Sequence, residues 1–133
     1  VVRRVGLADS AAAAKAARRA VAELLASCGQ AGTDAADTVV LLTSEVVTNA
    51  ITHAAPAADA VREFALSVRI TAGSVWVEVT DPDPAVFVPG DAGATAEHGR
   101  GLFLVAALAK EWGVRIEPDQ AGKTVWFHCL LDQ

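Results

Sequence analysis

The stretch SEVVTNAITHA, residues 44–54, holds a carboxylate at Glu45, a carboxamide at Asn49 and an imidazole at His53. Positions i and i+4 share one face of a helix, so the three groups would stand in one line. A carboxamide oxygen is a neutral ligand for a hard cation such as Mg²⁺, which keeps waters and shares phosphate oxygens. A carboxylate one turn away can orient or deprotonate a nucleophile. An imidazole can donate to a phosphate. Ser44, Thr48 and Thr52 extend the strip, while Val39, Leu42, Val46, Val47, Ala50 and Ile51 supply the apolar remainder. The pattern also suits the solvated face of an amphipathic helix. Such a face usually carries Lys or Arg paired at i,i+4, yet neither occurs from Asp34 to Val61. A strip of modest oxygen-bearing side chains without basic partners fits the lining of a pocket.

Two further places carry chemistry. In HGRGLFLV, Gly99 and Gly101 flank Arg100 just ahead of an apolar run. Glycines let a backbone approach a ligand closely, and the free N–H groups of a helix start favour anions. In VWVEVTD, residues 75–81, Val75, Val77 and Val79 alternate with Trp76, Glu78 and Thr80. Asp81 falls on the parity of the valines, which puts an acid at a strand end on the core side.

These residues need a scaffold, and the rest of the chain predicts one. Residues 1–7 form a short strand in which Val5 and Leu7 alternate around Gly6. The alanine-rich run at 11–28 is a strong helix former, capped by Asp9 or Ser10 and ended by Gly29 and Gly32. Thr33 or Asp34 caps a second helix that runs to about Ala55, ahead of Pro56. FALSVRI and VWVEVTD make a hairpin across the turn TAGS. Residues 82–101, rich in Pro, Gly and Ala, form a loop of the length used for lids. A third helix over LFLVAALAKEW and two strands, GVRIEP and KTVWFHCLL, close the chain. The expected architecture is α+β: a two-layer sandwich with a mostly antiparallel (mixed) sheet and helices on one face. Residues 1–133 suit a single domain.

Bulk properties narrow the function classes. Hydrophobic residues make up 53%, enough for a core, and the net charge is −5. An acidic chain without a basic run is a poor match for nucleic acid phosphates or for an anionic membrane surface. No apolar run approaches the roughly 20 residues of a membrane span. Cys28 and Cys129 show no metal-type spacing and read as reduced thiols in a cytoplasmic protein.

Taken in order, the pieces resemble the GHKL ATPase superfamily, the group of gyrase, a heat-shock chaperone, histidine kinases and MutL. EVVTNAITH looks like its N-box, DPDPA stands where the adenine-recognising Asp is found, GRGL looks like the glycine box, and GKTVWF like the final box. The match runs from about residue 34 to the C-terminus. Glu45, where histidine kinases usually have Asn, is similar to the small anti-sigma-factor serine kinases of the RsbW and SpoIIAB type. The resemblance implies ATP and Mg²⁺ as ligands, with Asn49 on Mg²⁺ and His53 near the phosphates. It implies Glu45 as general base for a protein serine, Asp81 on the adenine amine, and Gly99, Arg100 and Gly101 around the phosphates. It also implies Thr124 near adenine through water. The implied partners are a STAS-domain anti-anti-sigma factor, a sigma factor, and a second copy of the chain, to which the N-terminal strand would contribute.

The chain departs from the pattern in one box. The usual D-x-G-x-G is Asp81-Pro82-Asp83-Pro84-Ala85 here, without either glycine. That leaves a non-catalytic, nucleotide-responsive or nucleotide-free switch as the alternative to a kinase. Strand parity also leaves Thr124 open. It faces the covered side together with Trp126 and His128, or points away while Val125, Phe127 and Cys129 face inward, unless a bulge intervenes.

Overall fold

The computed structural model describes residues 1–8, 12–53, 63–81, 96–117 and 122–132. Among them are five strands and three helices in the order β1 (Val2–Ala8), α1 (Ala13–Ser27), α2 (Asp34–His53), β2 (Glu63–Thr71), β3 (Ser74–Asp81), α3 (Ala96–Leu108), β4 (Glu111–Glu117) and β5 (Gly122–Leu130). The sheet order is β1-β2-β3-β5-β4, and every pairing is antiparallel. The parallel component allowed for in a mixed sheet is not found among these strands.

Alternation decides which face is covered. Phe64, Leu66, Val68 and Ile70 of β2 and Val75, Val77 and Val79 of β3 are buried, and each is separated from the next by a more exposed residue. Their side meets Ala17, Val21, Leu24 and Leu25 of α1 and Val39, Leu42, Val46 and Val47 of α2 in one cluster. Each such aliphatic side chain contributes about 1.5–3 kcal/mol when removed from water, which fixes both helices on this side of the sheet. The polar Thr43 is tolerated at zero exposure because its Oγ1 donates to the Val39 carbonyl at 2.8 Å.

Local signals place α2. Thr33 is its cap: the Ala36 N–H donates to Thr33 Oγ1 at 3.0 Å, satisfying a free first-turn donor. Asp34 and Asp37 put negative charge in the same turn, where the helix dipole favours it. Ahead of α2, α1 ends where Gly29 adopts φ +81° and the Gln30 N–H reaches back to the Leu25 carbonyl at 2.9 Å. The β2–β3 turn is Ala72-Gly73, with Gly73 at φ +76°.

Three boundaries differ from expectation. α1 begins at Ala13 behind Ala12, which makes no side-chain cap hydrogen bond, and the expected caps Asp9 and Ser10 lie outside the described residues. α3 starts at Ala96, so Gly99, Arg100 and Gly101 belong to the helix and not to its approach. It also ends at Leu108: Glu111 and Trp112 open β4, paired with His128 and Phe127. The remainder of the expected lid, residues 82–95, lies outside the described residues, as do 54–62.

The other face of the sheet carries an aromatic group. Trp76 stacks on His128 with ring centroids 4.1 Å apart and planes 2° from parallel. Trp126 lies 5.9 Å from Trp76, and the Arg69 guanidinium sits 5.6 Å over the Trp76 ring. Both ring nitrogens of His128 are buried without a hydrogen-bond partner. Trp126 lies across β4 because position 113 is glycine. A Cβ there would meet the indole at 2.9 Å.

Candidate functional site

The helices α2 and α3 and the β3-β5-β4 end of the sheet bound a small open cleft with an interior volume of about 30 Å³. α2 contributes Val46, Asn49 and Ala50, β3 contributes Val79 and Asp81, and α3 contributes Leu102. Val114 comes from β4, and Lys123 and Val125 come from β5. The walls are therefore aliphatic, with a carboxamide and an ion pair as the polar groups. That is the usual make-up of a small-molecule site.

Each polar group arrives by a simple rule. Asn49 lies on the turn between Val46 and Ala50, so the packing that buries those two also aims it at the sheet. Its Nδ2 is buried and has no hydrogen-bond partner. A buried amide without a partner costs about 1–3 kcal/mol, and a ligand in the cleft would remove that cost. Asp81 continues the inward parity of Val75, Val77 and Val79 and is 1% exposed. The antiparallel register sets Asp81 opposite Lys123. The Lys123 Nζ donates to Asp81 Oδ2 at 3.1 Å, with both side chains almost fully buried.

The structure brings Asn49 and Asp81 into one cleft and leaves Glu45 off its wall. Glu45 sits one turn before Asn49, half-buried, and is not part of the cleft wall. Neighbouring Ser44 turns to α1, where its Oγ accepts from Arg18 at 2.9 Å. His53 is the last residue of α2, and its side chain lies outside the described residues, as do the side chains around Gly99, Arg100 and Gly101.

Thr124 is resolved against the adenine-side expectation. It pairs with Thr80, and the two Oγ1 atoms are 2.9 Å apart on the aromatic face of the sheet. The strand keeps strict alternation: Phe127 and Cys129 face the core, and Lys123 shares their side. Lys123 is thus the cleft residue that sequence reasoning missed. The signal was available, because the same parity that turns Thr124 away turns Lys123 in.

The donor set suits a phosphate-bridged Mg²⁺. Such an ion retains waters and takes few protein ligands; the Asn49 carboxamide oxygen would be one of them, while its buried, unpartnered Nδ2 can only donate and suits an acceptor atom of the ligand. Among the described residues no cluster of three His, Cys, Asp or Glu side chains offers an all-protein metal cage. No helix among them is long and apolar enough to cross a membrane.

Comparison with known proteins bears on the family and the fold. The model of the histidine kinase-like ATPase domain matches residues 7–129. An uncharacterised protein of Streptomyces coelicolor, SCO4941, is 42% identical over 82 residues, covering 58% of this chain and 72% of that protein. The crystal structure of the RsbU and RsbW domains of Rv1364c from Mycobacterium tuberculosis superposes with a TM-score of 0.75 at 22% identity. The match covers 100% of this chain and 33% of that one, so it speaks for a shared fold.

Proposed function

Because the chain belongs to the histidine kinase-like ATPase family, we propose that its cleft binds Mg²⁺-ATP. The observation that carries this reading is Asn49: a half-buried carboxamide whose Nδ2 is buried and unpartnered, in an apolar cleft that also holds Asp81. Asn49 would ligate Mg²⁺ through its oxygen, and Asp81 would accept from the adenine amine. Bound Mg²⁺ supplies charge neutralisation for the phosphates. Gly99, Arg100 and Gly101 at the start of α3, and His53 at the end of α2, would complete the phosphate side.

The finer reading is a cytoplasmic serine/threonine protein kinase that acts as an anti-sigma factor. Its substrate would be a serine of a STAS-domain anti-anti-sigma partner. Phosphoryl transfer asks mainly for positioning and charge neutralisation. In that reaction the serine oxygen forms a bond to the γ-phosphorus as the bond to the ADP oxygen breaks. Glu45 orients the hydroxyl and takes its proton. Glu45 stands outside the cleft wall and one turn from Asn49, which is where a group serving the incoming nucleophile is needed. A second reading is a switch that binds its partner without transfer. It is favoured by the ion pair on Asp81 and by the two prolines and the missing glycines that follow it.

Calorimetric titration tests the reading. The wild-type chain is expected to bind ATP in a Mg²⁺-dependent manner. Asn49→Ala is expected to lose at least about tenfold in affinity, the worth of one charge-assisted contact, with an unchanged far-ultraviolet dichroism spectrum. Absence of binding by the wild type, or unchanged affinity in a folded Asn49→Ala, overturns it.

A further inference from the structure

We propose that Lys123 is a specificity-determining residue of the cleft, donating to the acceptor nitrogen of a purine ring beside the amine that Asp81 accepts. The inference rests on the reading of the cleft as a nucleotide site and extends it to the base. Asp81 and Lys123 stand opposite each other in the β3–β5 register, so both side chains project to the helix-covered side. Their charged atoms are 3.1 Å apart at the wall of an open cleft. A buried ion pair gains little stability over an apolar pair of similar volume, because desolvation offsets the attraction. A pair placed at a cavity wall, and not inside the packed core, is positioned for recognition.

The chemistry of the pair defines the ligand edge. An ionised carboxylate only accepts, with about four lone-pair sites, and an ammonium only donates, with three N–H bonds. The bond between them uses one of the carboxylate's lone-pair sites and one of the ammonium's N–H groups. Side by side they form an acceptor–donor edge, complementary to a heterocycle that presents a donor next to an acceptor. Adenine does so with its exocyclic amine and N1. The aliphatic walls at Val46, Ala50, Val79 and Val125 suit the faces of a flat ring. Thr124, the residue expected to help Asp81 through water, faces the other side of the sheet. Lys123 takes that place with a charged donor.

The test compares ATP with 1-deaza-ATP, which keeps the amine but replaces N1 by C–H, in the presence of Mg²⁺. The wild-type chain is expected to bind the analogue about ten- to a hundredfold more weakly than ATP, the range for a hydrogen bond to a charged group. Lys123→Met, checked for folding by circular dichroism, is expected to bind the two equally. Equal wild-type affinity for ATP and 1-deaza-ATP overturns the role of Lys123 while leaving the nucleotide site standing. Full discrimination retained in Lys123→Met does the same. The wild-type comparison decides the matter even where the variant folds poorly. Wild-type protein that binds neither nucleotide overturns this inference and the site together.

Discussion

At the scale of single residues, Glu45 and Asn49 are one turn apart yet differ in surroundings: Asn49 lines the cleft and Glu45 stands outside its wall. Substituting each should therefore affect different steps. Glu45→Ala is expected to bind Mg²⁺-ATP within about twofold of wild type. It should slow transfer to a serine substrate by about 10²–10⁴, the span of general base catalysis, as read by phosphate incorporation. Equal transfer rates would return Glu45 to a solvated helix face. Cys129 offers a second check. Burial pushes its thiol from 9.0 up to about 11, partly offset by a hydrogen bond from the Lys110 backbone. The folded chain then holds a proton that the unfolded chain has lost. The resulting stability is fully present below pH 9 and disappears as pH rises toward 11, on the order of 2 kcal/mol in all. Urea midpoints across that window should fall more steeply for wild type than for Cys129→Ala. Asp81 was legible from sequence because its strand alternates cleanly. Lys123 was not, because Thr124 invited attention through resemblance while the parity of β5 pointed to its neighbour.

At the scale of elements, the outer sheet face shows how one glycine shapes two strands. Gly113 leaves room for the Trp126 indole to lie over β4. Gly113→Ala forces the indole to move. The strain of overfilling a packed site is about 1–3 kcal/mol, against the gain of about 0.4–1 kcal/mol from a stiffer unfolded chain. A net loss of about 1 kcal/mol is expected in the urea midpoint, together with a changed Trp126 environment in near-ultraviolet dichroism. An unchanged midpoint and spectrum would show that the indole accommodates a methyl group freely. The strands, the α1 and α2 helices and the α+β layering were readable, since period-two and period-3.6 burial are strong signals. The start of α3 was not. Gly99 and Gly101 are poor helix formers, so the sequence reads as a loop entry, while the fold continues the helix back to Ala96. The end of α3 was also misread, because Glu111 and Trp112 suit a helix end by composition but pair with β5.

At the scale of the whole molecule, β1 occupies one margin of the sheet, with β2 on one side. Such an edge presents unpaired main-chain groups that a second copy can extend across a twofold axis. Arg3 is drawn toward α1 by Glu23 at 3.3 Å, while Val2 stays 57% exposed. We expect a homodimer: mass measurement at micromolar concentration should give twice 13.7 kDa. Removing residues 1–4 should yield a monomer, since it takes away three of the seven residues of β1 but spares the buried Leu7. A single-chain mass at every concentration would remove the dimer. With a net charge of −5, the same sample is expected to show no salt-dependent binding to random duplex DNA. The two faces of the sheet also divide the chain's light emission. Of its three tryptophans, Trp76 and Trp126 belong to the stacked group on the face opposite α1 and α2. Trp112 packs against the core on the helix side, two residues before Val114 of the cleft wall. Occupation of the cleft should therefore alter one emitter and leave two as an internal reference. The ratio of their signals would report binding in the unlabelled protein.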